Sequence, residues 1–505
     1  MCRSLSLVLV MLLSSSVRAQ APVDSPAPDP PPEALASITA REISGHLRFL
    51  ASDLLRGREA GTADARLAAE YLATRLTAFG LEPMGDPDGG GPRSYFQRFM
   101  LEATTPETEG ASLTLTINQG PALRKITCAL GADFVYDPRG VAAGEIDAPA
   151  LFAGSDRIDD YDKRYTRGSF ILAHGGDHRA NAARARAARE KGALGVILIS
   201  PEDRSTPPPS PRDLGFGRTR VTLGPAPSEI PTLTLAAPIG RELIAALDLS
   251  GPEVSPPAAL SSNLGLRVHF THAVRREPRE DRNVLGFIPG SDPEKAREIV
   301  VFSAHYDHEG VDDKGQIYNG ADDNASGTSG LLEIAQAFAE APRPARSVLF
   351  LWVSGEEKGL LGSKWFADHQ TIPDGHKIVA DINLDMIGRN DPARIGATPS
   401  PKLPDYNTLV VDAAEATKAE GLELVFDTDP FYARTDSYNF AAKGVPIVFF
   451  FAGLHEDYHK PTDVVEKIDV EKAARVARAA FRLGWKAAQA PDPPKKVADR
   501  PDDHP

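Results

Sequence analysis

At 505 residues, with 42% hydrophobic and 25% charged positions, the chain reads as globular and long enough for about two to four domains. Its formal charge of −14, with no basic stripe to displace counterions from phosphates, excludes general nucleic-acid binding and fits solubility instead. No apolar run reaches the roughly 20 residues that a membrane span requires.

Taken in order, residues 1–20 have the layout of a secretory signal peptide: Arg3, the apolar run Leu5 to Leu13, then Ser14-Ser-Ser-Val-Arg-Ala19. The mature chain is expected to begin near Gln20 or Ala21 and to be secreted or periplasmic. Of the two cysteines, Cys2 lies in that segment, so cleavage leaves Cys128 and no internal disulfide. Residues 21–32 read as a flexible Pro-rich leader and 33–132 as the first part of the principal domain. That part holds a helical pattern through His46-Leu-Arg-Phe-Leu50 and a second from Ala63 to Phe79, stopped by Gly80. Between them, Asp53-Leu-Leu-Arg-Gly-Arg-Glu-Ala-Gly-Thr62 reads as surface loop or as the border of a site.

Residues 133–262 differ in character, with short β-type runs, many prolines and one βαβ-like unit: Phe170–Ala173, a helix over Asn181–Lys191, and Gly195–Ile199. Thr206-Pro-Pro-Pro-Ser-Pro211 must be an exposed loop. Through Gly168-Ser-Phe-Ile-Leu-Ala173, Ala185-Arg-Ala-Ala-Arg-Glu-Lys-Gly-Ala-Leu-Gly-Val-Ile-Leu-Ile199 and Ile230-Pro-Thr-Leu233, this block resembles the protease-associated domain inserted in several exopeptidases and receptors, which implies a non-catalytic lid or binding module.

Residues 263–489 alternate β and α, which predicts an α/β fold with a mostly parallel sheet flanked by helices. Ile299–Ala304 leads to His305-Tyr-Asp-His308, Ser347–Val353 to Glu356 and Glu357, Ile378–Leu384 to Asp385, and Val445–Phe451 to His455-Glu-Asp-Tyr-His459. Parallel sheets bind ligands beyond the carboxyl ends of their strands, so these clusters should converge on one rim. The acidic turn Gly320-Ala-Asp-Asp-Asn-Ala-Ser-Gly327 opens a helix expected from near Ala325, carrying Leu331, Ile334, Ala335 and Phe338 on one face. A closing helix runs from Ile468 to about Trp485 with Asp469 as its cap, and 490–505 reads as a disordered tail.

The rim supplies the donor inventory of a two-zinc hydrolase. His305 and Asp385 can hold one ion, Glu357 and His459 the other, with Asp323 across both, because ions roughly 3.5–4 Å apart suit a single bridging carboxylate. Asp307 is placed to accept the second imidazole N–H of His305. Glu356 is assigned as general base, and Tyr458 as a donor to the developing oxyanion. Each piece alone has an ordinary structural reading; their joint occurrence at successive strand ends does not. Asn324-Ala-Ser326 also matches a glycosylation acceptor, which reads as incidental beside Asp323.

Together these motifs, with Ser354-Gly-Glu-Glu-Lys-Gly359, Leu384-Asp-Met-Ile-Gly388, Asp457-Tyr-His-Lys-Pro-Thr-Asp463 and Leu50-Ala-Ser-Asp-Leu-Leu-Arg-Gly-Arg58, resemble the secreted zinc-dependent aminopeptidases that share a fold with glutamate carboxypeptidase and the transferrin receptor. The resemblance implies a zinc exopeptidase fold with a smaller β-rich insert, and two zinc ions. It implies removal of N-terminal residues from peptides with a free amino end. It carries the bridging aspartate to Asp323, the catalytic glutamate to Glu356, the other ligands to His305, Glu357, Asp385 and His459, and the oxyanion tyrosine to Tyr458. One departure is Ser437 in Thr435-Asp-Ser-Tyr-Asn-Phe440, where many relatives carry histidine. The rivals are a carboxypeptidase, for which Arg389 and Arg434 could hold a terminal carboxylate, a glutaminyl-cyclase-like enzyme, and a non-catalytic receptor-like protein.

Overall fold

Four apolar runs make the centre of the structure, a computed structural model that describes residues 28–118, 123–153, 166–200, 209–224, 229–247 and 265–497. The signal segment, the leader as far as residue 27, residues 206–208 of the proline loop and residues 498–505 lie outside the described residues. Strands Ile447–Phe451, Lys377–Asp385, Glu298–His305 and Ser347–Val353 are neighbours in that order and all parallel. Their register sets His305 level with Val353 and Asp385 level with Phe451, so the carboxyl ends form one rim. Along Glu298–His305, Val300, Phe302 and Ala304 pack into the cluster on one face and Ile299 and Val301 into the cluster on the other. Burial on both faces is why the run is continuously apolar rather than alternating.

One face is covered by helices Ala40–Leu50, Ala63–Phe79, Gly327–Glu340 and Val470–Gln489, whose apolar stripes merge in a single core. Thr62 caps the second of these through Ala65 N at 3.2 Å, and Gly80 ends it in the left-handed region at φ 78°. The Asp469 carboxylate accepts from Lys472 N at 2.9 Å and opens the closing helix. In that helix Gly484 lies directly on the Phe302 ring, where a Cβ would collide. Phe366 and Phe440, from helices Leu361–Asp368 and Ser437–Ala441, cover the other face.

Two strands of 23 residues, Phe96–Asn118 and Leu266–Ile288, pair antiparallel along their length and tie the two lobes together. The second pairs with Ser347–Val353 at one end and with Gly144–Phe152 at the other, so a single sheet runs through both lobes. Leu113, Leu115, Leu266, Val268 and Phe270, outside the 133–262 block, pack into the insert's own core with Phe170, Leu172, Ile197 and Leu233. The βαβ unit is present as Phe170–His174, His178–Glu190 and Gly195–Ile199, with the two strands parallel.

Two expectations change. The helix after the acidic turn starts at Gly327 rather than near Ala325, because Asp323 (φ −101°, ψ 97°) and Asn324 (φ −124°, ψ 50°) are not helical. The start of the tail is not loose: Thr408 N donates to Lys495 O at 2.9 Å and Val497 N to Tyr406 O at 3.0 Å, which fastens residues 495–497 to the main lobe.

Candidate metal centre

The acidic turn is held from below. Asp463 accepts from Asp322 N through both oxygens, at 3.1 and 3.0 Å, and from Asp323 N at 3.1 Å. Asp322 in turn accepts from Gly388 N at 2.7 Å. Asn324 donates to Leu384 O at 2.9 Å and accepts from Gly327 N at 2.8 Å, fully buried, which leaves no room for a glycan. Gly320 sits at φ 58° with no space for a Cβ between Asp323 O and the His308 ring.

This scaffold aims the two oxygens of Asp323 in different directions. Oδ1 is 3.4 Å from His305 Nε2, which is also 3.3 Å from Asp385 Oδ1. Oδ2 is 3.2 Å from His459 Nε2, which is also 2.9 Å from Glu357 Oε2. The five side chains singled out as ligands in the sequence thus form two donor sets that share one carboxylate. His305 Nε2, Asp385 Oδ1 and His459 Nε2 are buried without a hydrogen-bond partner. Buried donor atoms of this kind, converging from imidazole and carboxylate, fit divalent zinc.

The imidazoles and carboxylates of the cluster compensate one another: against burial, the carboxylates raise His305 and His459. Burial would raise Asp323, yet the His305 and His459 imidazoles hold it well below the usual carboxylate range. Burial lifts Glu356 well above that range, with His305 opposing and Glu357, Asp436 and Asp385 adding to the rise. The same desolvation raises Asp385 to about 6 against the pull of His305.

Asp307 lies beside the Nδ1 of His305, as expected, but also serves a second neighbour. His305 Nδ1 is 3.3 Å from the Asp307 backbone carbonyl and 3.7 Å from its carboxylate, because that carboxylate turns to accept from Glu356 N at 3.2 Å. It therefore fixes the Glu356 backbone more directly than the His305 ring. Tyr458 stacks on His459, ring centroids 3.8 Å apart, and lines the same cavity as Glu356. Ser437 is fully buried, 3.4 Å from the Thr435 hydroxyl, and does not line that cavity.

Several residues at the site had no role assigned from sequence. Arg58, from the loop read as surface or border, is buried and donates to Tyr306 O at 2.7 Å, Asn319 O at 2.7 Å, Gly320 O at 3.1 Å and Leu50 O. Burial lowers it to about 10 even though Asp307, Asp323, Asp463 and Glu357 favour its charge. His308 lies beneath Glu357, Nδ1 to Oε1 2.7 Å. Asp436 is buried, its proton affinity raised to about 7 by desolvation against the pull of His305. Their signals were present, as a second histidine in His305-Tyr-Asp-His308 and an arginine between glycine and glutamate, but the partners are far away in the chain.

Above the donor sets lies a cavity of about 330 Å³ with an apolar wall of Met386, Phe431, Phe449, Phe451 and Leu454. Leu360, Met386 and His459 line it with positive φ of 59°, 49° and 53°, a backbone strain that non-glycine residues accept mostly at functional sites.

The fold and the rim define an α/β protein with helices on both faces of its parallel core strands and a metal-type cluster at their carboxyl ends. The aminopeptidase from Aneurinibacillus sp. strain AM-1 has this fold: 20% identical, it aligns over 91% of this chain and 96% of its own with a TM-score of 0.56. Residues 283–483, which carry every donor above, match the model of Peptidase family M28. Curated relatives include a probable leucine aminopeptidase of Trichophyton verrucosum, 29% identical over 217 residues, 41% of this chain and 57% of the relative. Aminopeptidase YwaD of Bacillus subtilis is 26% identical over 216 residues, 40% of this chain and 44% of the relative. The chain spans about half the length of the curated relatives it matches.

Proposed function

We propose that the protein is a zinc aminopeptidase that binds two ions, His305 and Asp385 holding one, Glu357 and His459 the other, with Asp323 between them. The observation that carries this reading is the Asp323 carboxylate, whose two oxygens face different imidazoles at 3.4 and 3.2 Å. Zinc held by these residues would supply a Lewis acid for the scissile carbonyl and would lower the pKa of water toward neutrality. Glu356, whose burial raises its affinity for a proton, takes one from the attacking water and returns it to the leaving amine. Burial and the surrounding carboxylates keep the Tyr458 hydroxyl protonated, so it donates to the oxygen that gains charge.

The apolar wall of Met386, Phe431, Phe449, Phe451 and Leu454 suits a large apolar N-terminal side chain. Of the two arginines a carboxypeptidase could use, Arg389 is bound to Asp457 at 2.9 Å, whereas Arg434, resting on the Phe431 ring at 5.3 Å, lines the cavity over the donor sets and keeps carboxypeptidase action as the second reading. The insert, similar in motif to a protease-associated domain, limits access to chain ends, and the signal segment directs the chain out of the cytoplasm.

The test is mass spectrometry of a peptide and its N-acetylated twin after incubation with zinc-loaded protein, with and without chelator. Shortening of the free-amine peptide alone, from its N-terminus and only without chelator, is the expected result. Cleavage from the other end would replace the specificity, and no cleavage by fully metallated protein would favour the receptor-like alternative. Glu356→Gln should lower kcat by about 10²–10⁴ while zinc is retained.

A further inference from the structure

A second cavity, about 610 Å³, meets the first at Glu357 and extends under the inserted lobe. Its floor is the long ribbon, through Glu102, Thr104 and Arg276, and its far wall is the insert's Arg139. Strand Arg220–Leu223 pairs with Leu101–Thr104, and the Thr105 and Thr219 hydroxyls meet at 2.8 Å, so the wall bearing Arg218 and Arg220 is anchored to that floor.

The lining is cationic in a chain of formal charge −14. Most of its charges are already matched: Arg139 to Asp137 at 2.6 Å, Arg276 to Glu102 at 2.8 Å, and Lys358 to Glu309 at 2.8 Å. Arg218 and Arg220 are exposed and, among the described residues, make no side-chain hydrogen bond or ion pair. Asp213 lies near Arg218 and Asp137 near Arg220, but neither carboxylate is in contact with its arginine, so both guanidiniums remain open to an anion on a groove that begins at a proposed metal ligand.

Resting on the aminopeptidase reading, we infer that this groove receives the part of the peptide beyond the scissile bond, and that Arg218 and Arg220 recognise a carboxylate on it. With the N-terminal side chain against the apolar wall and the scissile carbonyl over the donor sets, the leaving segment has this groove before it. A peptide offers carboxylate in two forms, the C-terminal group of a short substrate and an acidic side chain. Guanidinium binds either in the same planar way. The enzyme would then favour short or acidic peptides over neutral, C-terminally blocked ones.

The experiment measures kcat/KM for Leu-Ala-Gln amide, Leu-Ala-Gln with a free carboxylate, and Leu-Ala-Glu amide, together with leucine p-nitroanilide, which has no carboxylate. Each carboxylate should improve kcat/KM by about three- to tenfold at low salt, mainly through KM, as for exposed charge-assisted contacts. Gain from the terminal carboxylate alone identifies a short-peptide enzyme; gain from glutamate alone identifies side-chain recognition. Arg218→Ala with Arg220→Ala should bring the ratios to about one, and raising salt to 0.5 M should compress them in the parent protein, since exposed charges are screened. Anilide turnover with equal peptide rates, or a preference that survives both the double variant and salt, overturns the inference while the peptidase reading stands. Failure to hydrolyse the anilide and all three peptides overturns both.

Discussion

The rim and the groove beside it are both dense in charge, yet they solve the problem of charge in opposite ways. At the rim, Asp307, Asp323, Glu357 and Asp385 are packed against His305 and His308 with little exposure. Several of the facing atoms have no hydrogen-bond partner. In the groove, away from the Lys358–Glu309 pair at its rim end, the ion pairs are more exposed, for example Arg139 at 65% and Asp137 at 54% side-chain exposure, or Arg276 at 50% and Glu102 at 21%. Desolvated donors without partners are costly unless a cation joins them, whereas exposed pairs cost little and contribute little. The contrast separates a cluster whose donor atoms fit an ion from a groove whose charges are met by their neighbours and by water.

The largest effect should come from the atom pair at the heart of the rim. Asp323→Asn removes the shared negative charge and turns one oxygen into a donor facing an imidazole, so zinc measured by mass spectrometry should fall. Turnover should drop by more than about 100-fold, beyond the loss that a supporting residue causes. Full zinc content with near-normal turnover would remove Asp323 from the bridging position. Next comes Arg58→Met, which keeps bulk but strips the donors from Leu50, Tyr306, Asn319 and Gly320 carbonyls and removes a buried cation that faces Asp307 and Asp323. Denaturant unfolding should show a loss of about 3–5 kcal/mol, the range for breaking a buried charge network. A loss below about 1 kcal/mol would mean that the loop is dispensable to the rim.

The same contrast explains what could be read from the sequence. Strand ends followed at once by His305, Glu356 and Glu357, Asp385 and the His459 loop are local signals, and the parallel register does bring them to one edge. Supports that act across the chain left no such trace. Asp463 reaches Asp323 N from 140 positions away and Arg58 reaches Gly320 O from 262, so neither pairing has a periodicity to betray it. The long ribbon was equally hidden: the outer part of Leu266–Ile288 carries Arg275, Arg276, Glu277, Arg279 and Glu280, a polar alternation that looks like loop until its partner strand is known. The contact of the Asp307 carboxylate with the Glu356 backbone N–H, made besides its approach to the His305 ring, left no trace in the sequence because backbone donors carry no sequence signal.

Between the extremes stands Asp281, buried beside the rim but tied to Ser354 Oγ at 2.7 Å and Gly61 N at 2.9 Å. Desolvation raises it to about 7, whereas an unfolded aspartate titrates near ~3.9. The folded chain therefore holds this proton to higher pH than the unfolded chain. The associated stability is complete below about pH 4 and is lost as pH rises through about 7. Asp281→Asn carries no titrating proton, so the fall in Tm between pH 6 and pH 8.5 should be smaller in the variant than in the parent. Identical pH slopes would mean that Asp281 is already ionised in the folded state throughout that range.

The smallest effect should lie in the groove, at the Arg276–Glu102 pair. Its 2.8 Å contact is shorter than that of many buried pairs, and judged on distance alone it would rank among the strong interactions of the molecule. Exposure reverses that ranking, because water and salt screen both partners and the long side chains lose rotamer freedom when they pair. Arg276→Ala should change unfolding free energy by less than about 1 kcal/mol, and 0.5 M salt should shrink even that difference. A loss comparable to that of Arg58→Met would show that the ribbon's charges hold the two lobes together. The groove would then belong with the rim as a structural charge cluster, and the contrast between them would fail.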